Sequence, residues 1–452
     1  MCAVVGIFGN DNAAGLASAA LFAMQHRGHE ATGISSGGGS EDKKIYTVKK
    51  MGYVKDVFHK GTLSKLPGTI AIGHNRYSTA GNDSVSDAQP IHAKYKLGEI
   101  SIVHNGNLVN KDEVRQRLID EGSIFQTDMD TENLIHLIAK STQNRLRDRI
   151  TDGLKELKGA YNFMIQSRSK LFVVRDPHGI RPLSLGKLKS GGWIVASETC
   201  AFDLVEAEFI RDVKPGEMLI FSEELDEPES IMLFEGEEFR PCAFEYIYFA
   251  RPDSVIDGKS VYKTRENMGK ELAKNDFGSS IKADMVIPVP DSGVPAALGY
   301  AQGSGIPFEL GIIRNHYVGR TFIEPTQEMR NLKVKMKLNP MKSLIQGKSL
   351  IVIDDSIVRG TTSKRIVQML KEAGAAEVHF RVASPMIQHP CFYGIDTPTK
   401  EELINATMTK DEVCEYIGAD SLEYLTIDNL RDSLGRERNY SLVSFDGDYF
   451  VV

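Results

Sequence analysis

A chain of 452 residues with 41% hydrophobic residues can bury an ample core, and it is too long for one typical core, so two domains are expected. Its formal net charge of -7 provides no global field for nucleic acid, and no apolar run is long enough to span a bilayer. The cysteines, at 2, 200, 242, 391 and 414, form no close CxxC pair, and with no visible signal peptide a reducing cytoplasm fits them best.

The chain opens Met1-Cys2-Ala3-Val4-Val5-Gly6-Ile7-Phe8. Ala3 to Phe8 reads as a short buried strand. Removal of Met1 would put a thiol and a free α-amine on Cys2, and that amine ordinarily titrates at roughly 7.7–8.0, close enough to neutrality to act as a base for the thiol. Thr69 to Gly73 and Ile100 to His104 are further strands, each followed by polar residues: His74-Asn75-Arg76-Tyr77 after the first, Asn105-Gly106-Asn107 after the second. Gln25-His26-Arg27-Gly28-His29-Glu30 follows an apolar helix. Thr127 and Asp130 suggest a capping box ahead of the helical pattern Leu134, Ile135, Leu137, Ile138. Tyr161 to Ile165 and Lys170 to Val174 read as paired strands, and Trp193 to Ser197 and Met218 to Phe221 continue the β character. The acidic tract Ser222 to Ser230 reads as a surface turn, with a domain boundary near 230–245.

Beyond it helix and strand alternate, which points to a parallel α/β sheet. Tyr262 to Asn275 is helical, Met285 to Val289 is a buried strand running into Pro290-Asp291-Ser292-Gly293, and Leu350 to Ile353 is a strand. Thr361 to Ala373 is an amphipathic helix closed at Gly374, and Glu377 to Val382 begins another strand. The tail from Lys410 to Val452 reads as a helix and then a mixed extended end.

The most specific stretch is Leu350-Ile351-Val352-Ile353-Asp354-Asp355-Ser356-Ile357-Val358-Arg359-Gly360-Thr361-Thr362-Ser363. A strand delivers two carboxylates at its C-terminal end, where ligands of open α/β sheets bind, and a Gly-Thr-Thr loop then enters a helix. Amides and hydroxyls at a helix entrance suit a phosphate monoester, and the carboxylates suit ribose hydroxyls or Mg²⁺ carrying a diphosphate. There is no GxxxxGK[ST], so P-loop chemistry is disfavoured.

This segment resembles the phosphoribosyl diphosphate (PRPP) motif of type I phosphoribosyltransferases. Pro288 to Gly293 resembles that family's diphosphate loop, and Gly319 to Ile323 through Lys337-Leu338-Asn339-Pro340 resembles its closing loop. The resemblance assigns PRPP to Asp291, Ser292, Lys337, Asp354, Asp355, Arg359, Gly360, Thr361, Thr362 and Ser363, with Mg²⁺ on Asp354, Asp355 and Ser292. The N-terminal segments resemble the class II, N-terminal nucleophile glutamine amidotransferases. That resemblance makes Cys2 the nucleophile and Asn105 and Gly106 the oxyanion hole, with glutamine held by Arg76 (α-carboxylate), Asp130 (α-ammonium) and Gly28 (backbone). The terminal amine already supplies a base, so His26, His29, His74 and His104 are given structural roles.

Both halves in this order resemble the amidophosphoribosyltransferase family. The resemblance implies a four-layer αββα sandwich at 2–235, a phosphoribosyltransferase domain with a mainly parallel sheet at 245–410, and a C-terminal helix and tail at 411–452 packing on the others. It further implies glutamine and PRPP as substrates, purine nucleotides as feedback inhibitors, a homotetramer or homodimer, and a closed passage for ammonia. It implies no nucleic-acid or membrane partner. Some relatives carry a [4Fe–4S] cluster at positions matching Cys242 and Cys391, but the closely spaced C-terminal cysteine pair is missing here and four ligands are needed, so no iron–sulfur cluster is expected. An enzyme making glucosamine 6-phosphate would lack the Asp354-Asp355 segment. A salvage phosphoribosyltransferase would not need Cys2, Arg76, Asn105 and Asp130 together, and a nucleotide sensor without turnover would have lost Cys2 or the acid pair.

Overall fold

The computed structural model describes residues 1–39, 44–77, 84–276, 281–315, 338–397 and 399–451. The strand Ala3–Phe8 is buried on both faces, which is why its sequence is an unbroken apolar run rather than an alternation. Ala3, Val5 and Ile7 pack with the helix Ala13–Ala23, while Val4 and Phe8 point the other way, into a layer shared with Val103, Met164 and Val173.

That strand sits inside an antiparallel sheet with the order Ala207–Asp212, Ser184–Leu188, Trp193–Ala196, Ala3–Phe8, Ile70–Arg76, Ala31–Gly37, Tyr46–Met51. A second antiparallel sheet runs Glu229–Met232, Glu217–Ser222, Lys170–Arg175, Gly159–Gln166, Gly98–Leu108, Ile91–Tyr95. The helices Thr131–Lys140 and Leu146–Leu154 cover its outer face through Leu134, Ile138, Ile150 and Leu154. The layers are therefore αββα, as the resemblance implied. The acidic tract lies in the surface hairpin between Glu217–Ser222 and Glu229–Met232.

One local expectation fails. Asp130 stands at the N-cap of the helix Thr131–Lys140 without a side-chain capping bond, so no Thr127–Asp130 box forms. The Glu132 carboxylate instead takes the Gln126 and Thr127 N–H groups, and the Asp130 carboxylate is drawn away to the Leu108 N–H at 3.0 Å.

The second half contains a four-stranded parallel sheet, Met285–Pro288, Ser349–Asp354, Glu377–Val382, Ser421–Tyr424. Both faces are covered. Val286, Ile351 and Ile353 meet the helices Val261–Asn275 and Val294–Ser304, and Ile287, Leu350 and Val352 meet the helix Thr361–Glu372. The first two helices touch backbone to backbone: a Cβ on Gly269 would stand 1.9 Å from the Ala296 carbonyl oxygen, and one on Gly299 would stand 1.8 Å from that of Glu266.

The sheet runs on beyond residue 410. The tail expected from 411 begins with the helix Lys410–Ile417 and the strand Ser421–Tyr424, which complete the parallel sheet. Only the later residues Leu430, Leu434, Leu442, Val443 and Phe445 pack back on Tyr246 and Ile247. The same apolar cluster holds Met1, Ala160 and Ile180 from the sandwich, so the two halves share core.

Candidate active site

Strand pairing brings the N-terminal motifs together. Ala3 pairs with Asn75, which sets Cys2 beside Arg76 and Tyr77 at the end of the first sheet. In the second sheet Asn105 and Gly106 lie on the strand Gly98–Leu108, across the sandwich from that end. The Cys2 N–H donates to Asn105 Oδ1 at 3.2 Å. A small pocket there is lined by Cys2, Arg76, Tyr77, Gln89, His104, Gly106, Met129 and Asp130. Four of the predicted residues thus share one cavity, while Asn105 and Gly28 are not among its lining residues and meet two of them, Cys2 and Arg76. Gly28 packs so closely on Arg76 that a Cβ would stand 2.6 Å from the Arg76 carbonyl oxygen.

The chemistry of this pocket follows from burial. Asn105 is fully buried; its Oδ1 is used by Cys2, while its Nδ2 has no partner among the described residues. An unspent buried donor beside a thiol is costly unless something arrives to accept from it. Gly106 has φ +146°, and a Cβ there would sit 2.0 Å from the Ala160 carbonyl oxygen, so only glycine fits. Burial pushes the Cys2 thiol up, so it needs a base to ionise. With Met1 in place, burial pushes the chain's terminal ammonium down to about 6.

Asp130 is buried, which by itself would raise its pKa, but His104 and the Leu108 N–H outweigh burial and hold it below the usual carboxylate range. His104 Nδ1 lies 3.3 Å from Asp130 Oδ1, and its ring stacks on Phe163. Burial pushes His74 down to about 3, leaving it neutral. His26 pairs with Glu198 at 2.7 Å, and His29 packs edge-on against Tyr77.

The second constellation lies at the carboxyl ends of parallel strands. The Val289 N–H bonds to the Ile353 carbonyl at 2.8 Å, which sets the Pro290–Gly293 loop alongside Asp354 and Asp355. The Ser292 side chain hydrogen-bonds to Asp355. Burial, reinforced by the neighbouring Asp355 charge, pushes Asp354 well above the usual range; burial also pushes Asp355 up. Gly360 takes φ +72° at the N-cap of the helix Thr361–Glu372, and its missing side chain leaves room for Ile404 and Tyr416. Thr361 and Thr362 are exposed at that entrance, and Ser363 is buried. Arg359 turns outward to Glu402 at 3.2 Å, and Asp291 pairs with Arg314. Lys337 and the loop from Gly319 lie outside the described residues.

Sequence reasoning missed several neighbours. Gln89 accepts from the His104 N–H at 2.6 Å, and nothing in its surroundings advertised it. Arg265 lies fully buried within reach of the Asp355 charge; burial lowers it to about 10. Arg27 binds the Cys2 carbonyl at 3.0 Å, and its position between His26 and Gly28 was the available signal.

A buried thiol near the chain start facing a buried amide donor across the sandwich, and an acid pair beside a hydroxyl-rich helix entrance in the parallel sheet, fit a glutaminase joined to a phosphoribosyltransferase. Comparison with known proteins agrees. Residues 74–203 match the glutamine amidotransferase domain family, and residues 259–390 match the phosphoribosyl transferase domain family. The amidophosphoribosyltransferase of Rhizobium etli is 50% identical over 456 residues, spanning 100% of this chain and 90% of its own. Amidophosphoribosyltransferase 2, chloroplastic, of Arabidopsis thaliana is 48% identical, spanning 100% of this chain and 79% of its own. The structure of glutamine PRPP amidotransferase from B. subtilis, complexed with ADP and GMP, superposes with a TM-score of 0.92 at 46% identity, covering 100% of this chain and 98% of that one.

The chain belongs to the amidophosphoribosyltransferase family. It hydrolyses glutamine and couples that hydrolysis to the amination of PRPP, a reaction of purine biosynthesis.

Proposed function

We propose that the mature chain starts at Cys2 and that each motif residue acts as follows. The Cys2 sulfur attacks the glutamine side-chain carbonyl carbon, and the Cys2 α-amine accepts the thiol proton and returns it to the departing ammonia. Asn105 Nδ2 and the Gly106 N–H donate to the oxyanion. Arg76 holds the substrate α-carboxylate with its planar fork, Asp130 holds the α-ammonium, and Gly28 leaves its backbone open to the substrate. Water then hydrolyses the thioester to glutamate and free thiol.

Ammonia attacks C1 of PRPP and displaces diphosphate, giving 5-phosphoribosylamine. Asp354 and Asp355 hold ribose hydroxyls, Gly360, Thr361, Thr362 and Ser363 cradle the 5-phosphate, and Asp291, Ser292 and Lys337 attend the diphosphate. Arg359 would have to leave Glu402 to join them. The buried acid pair and the Ser292 hydroxyl are hard oxygen donors whose crowded charge a divalent cation would relieve, so they fit Mg²⁺. When bound, Mg²⁺ would neutralise diphosphate charge.

The same reading takes 2–235 as the glutaminase domain, 245–410 as the phosphoribosyltransferase domain and 411–452 as a C-terminal helix and tail packing on the other domains. It includes no iron–sulfur cluster, because no cysteine follows Cys414. It also includes purine nucleotides as inhibitors, a homodimer or homotetramer and a cytoplasmic location; no helix among the described residues is long and apolar enough to cross a membrane.

The observation that carries the glutaminase reading is Asn105: one side-chain atom holds Cys2, and the other is a buried donor left over for substrate. The test compares Cys2→Ala with Asp354→Asn. Cys2→Ala should lose glutamine-dependent synthesis and keep ammonia-dependent synthesis, whereas Asp354→Asn should lose both. Glutamine use surviving in Cys2→Ala would refute the nucleophile assignment.

A further inference from the structure

Cys2 is fixed by two backbone contacts. Its nitrogen meets Asn105 Oδ1 at 3.2 Å, and its carbonyl accepts from Arg27 Nε at 3.0 Å. After loss of Met1 the nitrogen becomes a chain end, tied down by one peptide bond fewer and free to rotate about its bond to Cα. The carbonyl contact then becomes the anchor that keeps the thiol and amine aimed at substrate. What holds Arg27 therefore matters for the chemistry.

Arg27 is fully buried, and a guanidinium survives there only beside paired carboxylates. It has two. Glu198 accepts from Nη1 at 2.6 Å and is itself held by His26, the Arg251 N–H and the Ser254 hydroxyl. Glu245 takes the fork side-on, with Nη1 to Oε2 at 2.9 Å and Nη2 to Oε1 at 2.8 Å. This bidentate contact sets the plane of the guanidinium and hence the direction of Nε.

Glu245 does not belong to the sandwich sheets. It begins the short helical turn Glu245–Phe249, beyond the last strand of the second sheet. The same carboxylate reaches Arg181 Nη1 at 3.4 Å, and Arg181 donates through Nε to the Tyr393 carbonyl at 3.0 Å. Tyr393 lies on the chain that follows the parallel strand Glu377–Val382. Its neighbours touch the strand that carries Asn105: the Phe392 carbonyl accepts from Asn107 Nδ2 at 2.8 Å, and a Cβ on Gly394 would stand 3.0 Å from the Gly106 carbonyl carbon. One buried carboxylate thus joins the nucleophile's backbone to a loop of the phosphoribosyl half.

We propose that Glu245 is a positioning residue for glutamine hydrolysis, acting through Arg27 on the backbone of Cys2. The proposal rests on the reading of Cys2 as the nucleophile. Glu245 does not line the pocket beside Cys2, so its effect is on orientation and falls on glutamine turnover, leaving the phosphoribosyl site untouched.

The test uses two variants of the full chain. Glu245→Gln keeps the reach and removes the charge, whereas Glu245→Asp keeps the charge and shortens the reach by one methylene. Both should lower kcat for glutamine-dependent synthesis at least tenfold, with KM for glutamine changed less than threefold and ammonia-dependent synthesis kept within twofold. If Glu245→Gln fails to fold, Glu245→Asp alone decides, because it retains the buried charge balance. Equal loss of both nitrogen routes would reduce Glu245 to a fold-stabilising residue and overturn the proposal; so would full glutamine activity in Glu245→Asp. Cys2→Ala run alongside separates the two ideas: if it still uses glutamine, the nucleophile assignment fails, whatever the Glu245 variants do.

Discussion

At the scale of single residues, the pocket around Cys2 is governed by what is buried without a partner. Asn105 is the clearest case, since its Nδ2 has no partner among the described residues and on the proposed reading the substrate supplies the acceptor. Asn105→Ala should lower kcat for glutamine hydrolysis by about 10²–10³, the usual loss for one oxyanion donor, with little effect on ammonia-dependent synthesis. Steady-state kinetics with each nitrogen source checks this. Cys2, Asn105 and the Asp354-Asp355 pair were legible in the sequence because each sits at the end of an apolar strand, where a polar side chain has few structural uses. Gln89 and Arg27 were less legible. Their importance comes from partners far along the chain, the His104 N–H and the Cys2 carbonyl, and no local pattern encodes such contacts.

At the scale of elements, close backbone approach does much of the positioning. Gly106 has no room for a side chain, and Gly106→Ala should disturb the strand carrying Asn105 and abolish glutamine use; circular dichroism and ammonia-dependent activity would show whether the rest of the fold survives. Gly299 serves packing instead. Its helix meets Val261–Asn275 through the Glu266 carbonyl, so Gly299→Ala forces the pair apart and should cost about 1–3 kcal/mol in urea unfolding, the range for overpacking. Most strand and helix types followed from periodicity, but the end read as extended holds the helix Ile427–Leu434, whose Leu430 and Leu434 bury into the shared core. The Thr127–Asp130 cap did not form, because Glu132 and the Leu108 N–H offered those groups better partners once the chain had folded.

At the scale of the whole molecule, buried ionisable groups set how stability varies with pH. His74 is held neutral, its pKa pushed from 6.5 to about 3, so the unfolded chain binds more protons across that window and stability falls as pH drops through it. Asp130 and Glu198 act in the same direction at lower pH. Their native pKa values are depressed, so the stability they contribute at neutral pH is lost on acidification. Asp354 and Asp355 act oppositely: raised in the fold, they favour the native state more as pH falls. Because His74 alone accounts for one of these contributions, His74→Gln should make stability fall less steeply with acid between pH 7 and 5 than in the unaltered chain, by up to about 1.4 kcal/mol per pH unit, the weight of one proton; denaturant unfolding of both chains checks this.

Local chemistry along the chain was enough to establish the two kinds of element, the order of the two halves and the residues at strand ends, because periodicity and a strand's terminal polar groups are properties of neighbouring residues. Folding in three dimensions settled what those residues face. The meeting of Cys2 with Asn105, the shared core of Met1 with Tyr246, and the Arg27–Glu245–Arg181 chain all join positions 64 or more residues apart. Such contacts depend on sheet register and burial, which short-range pattern does not carry.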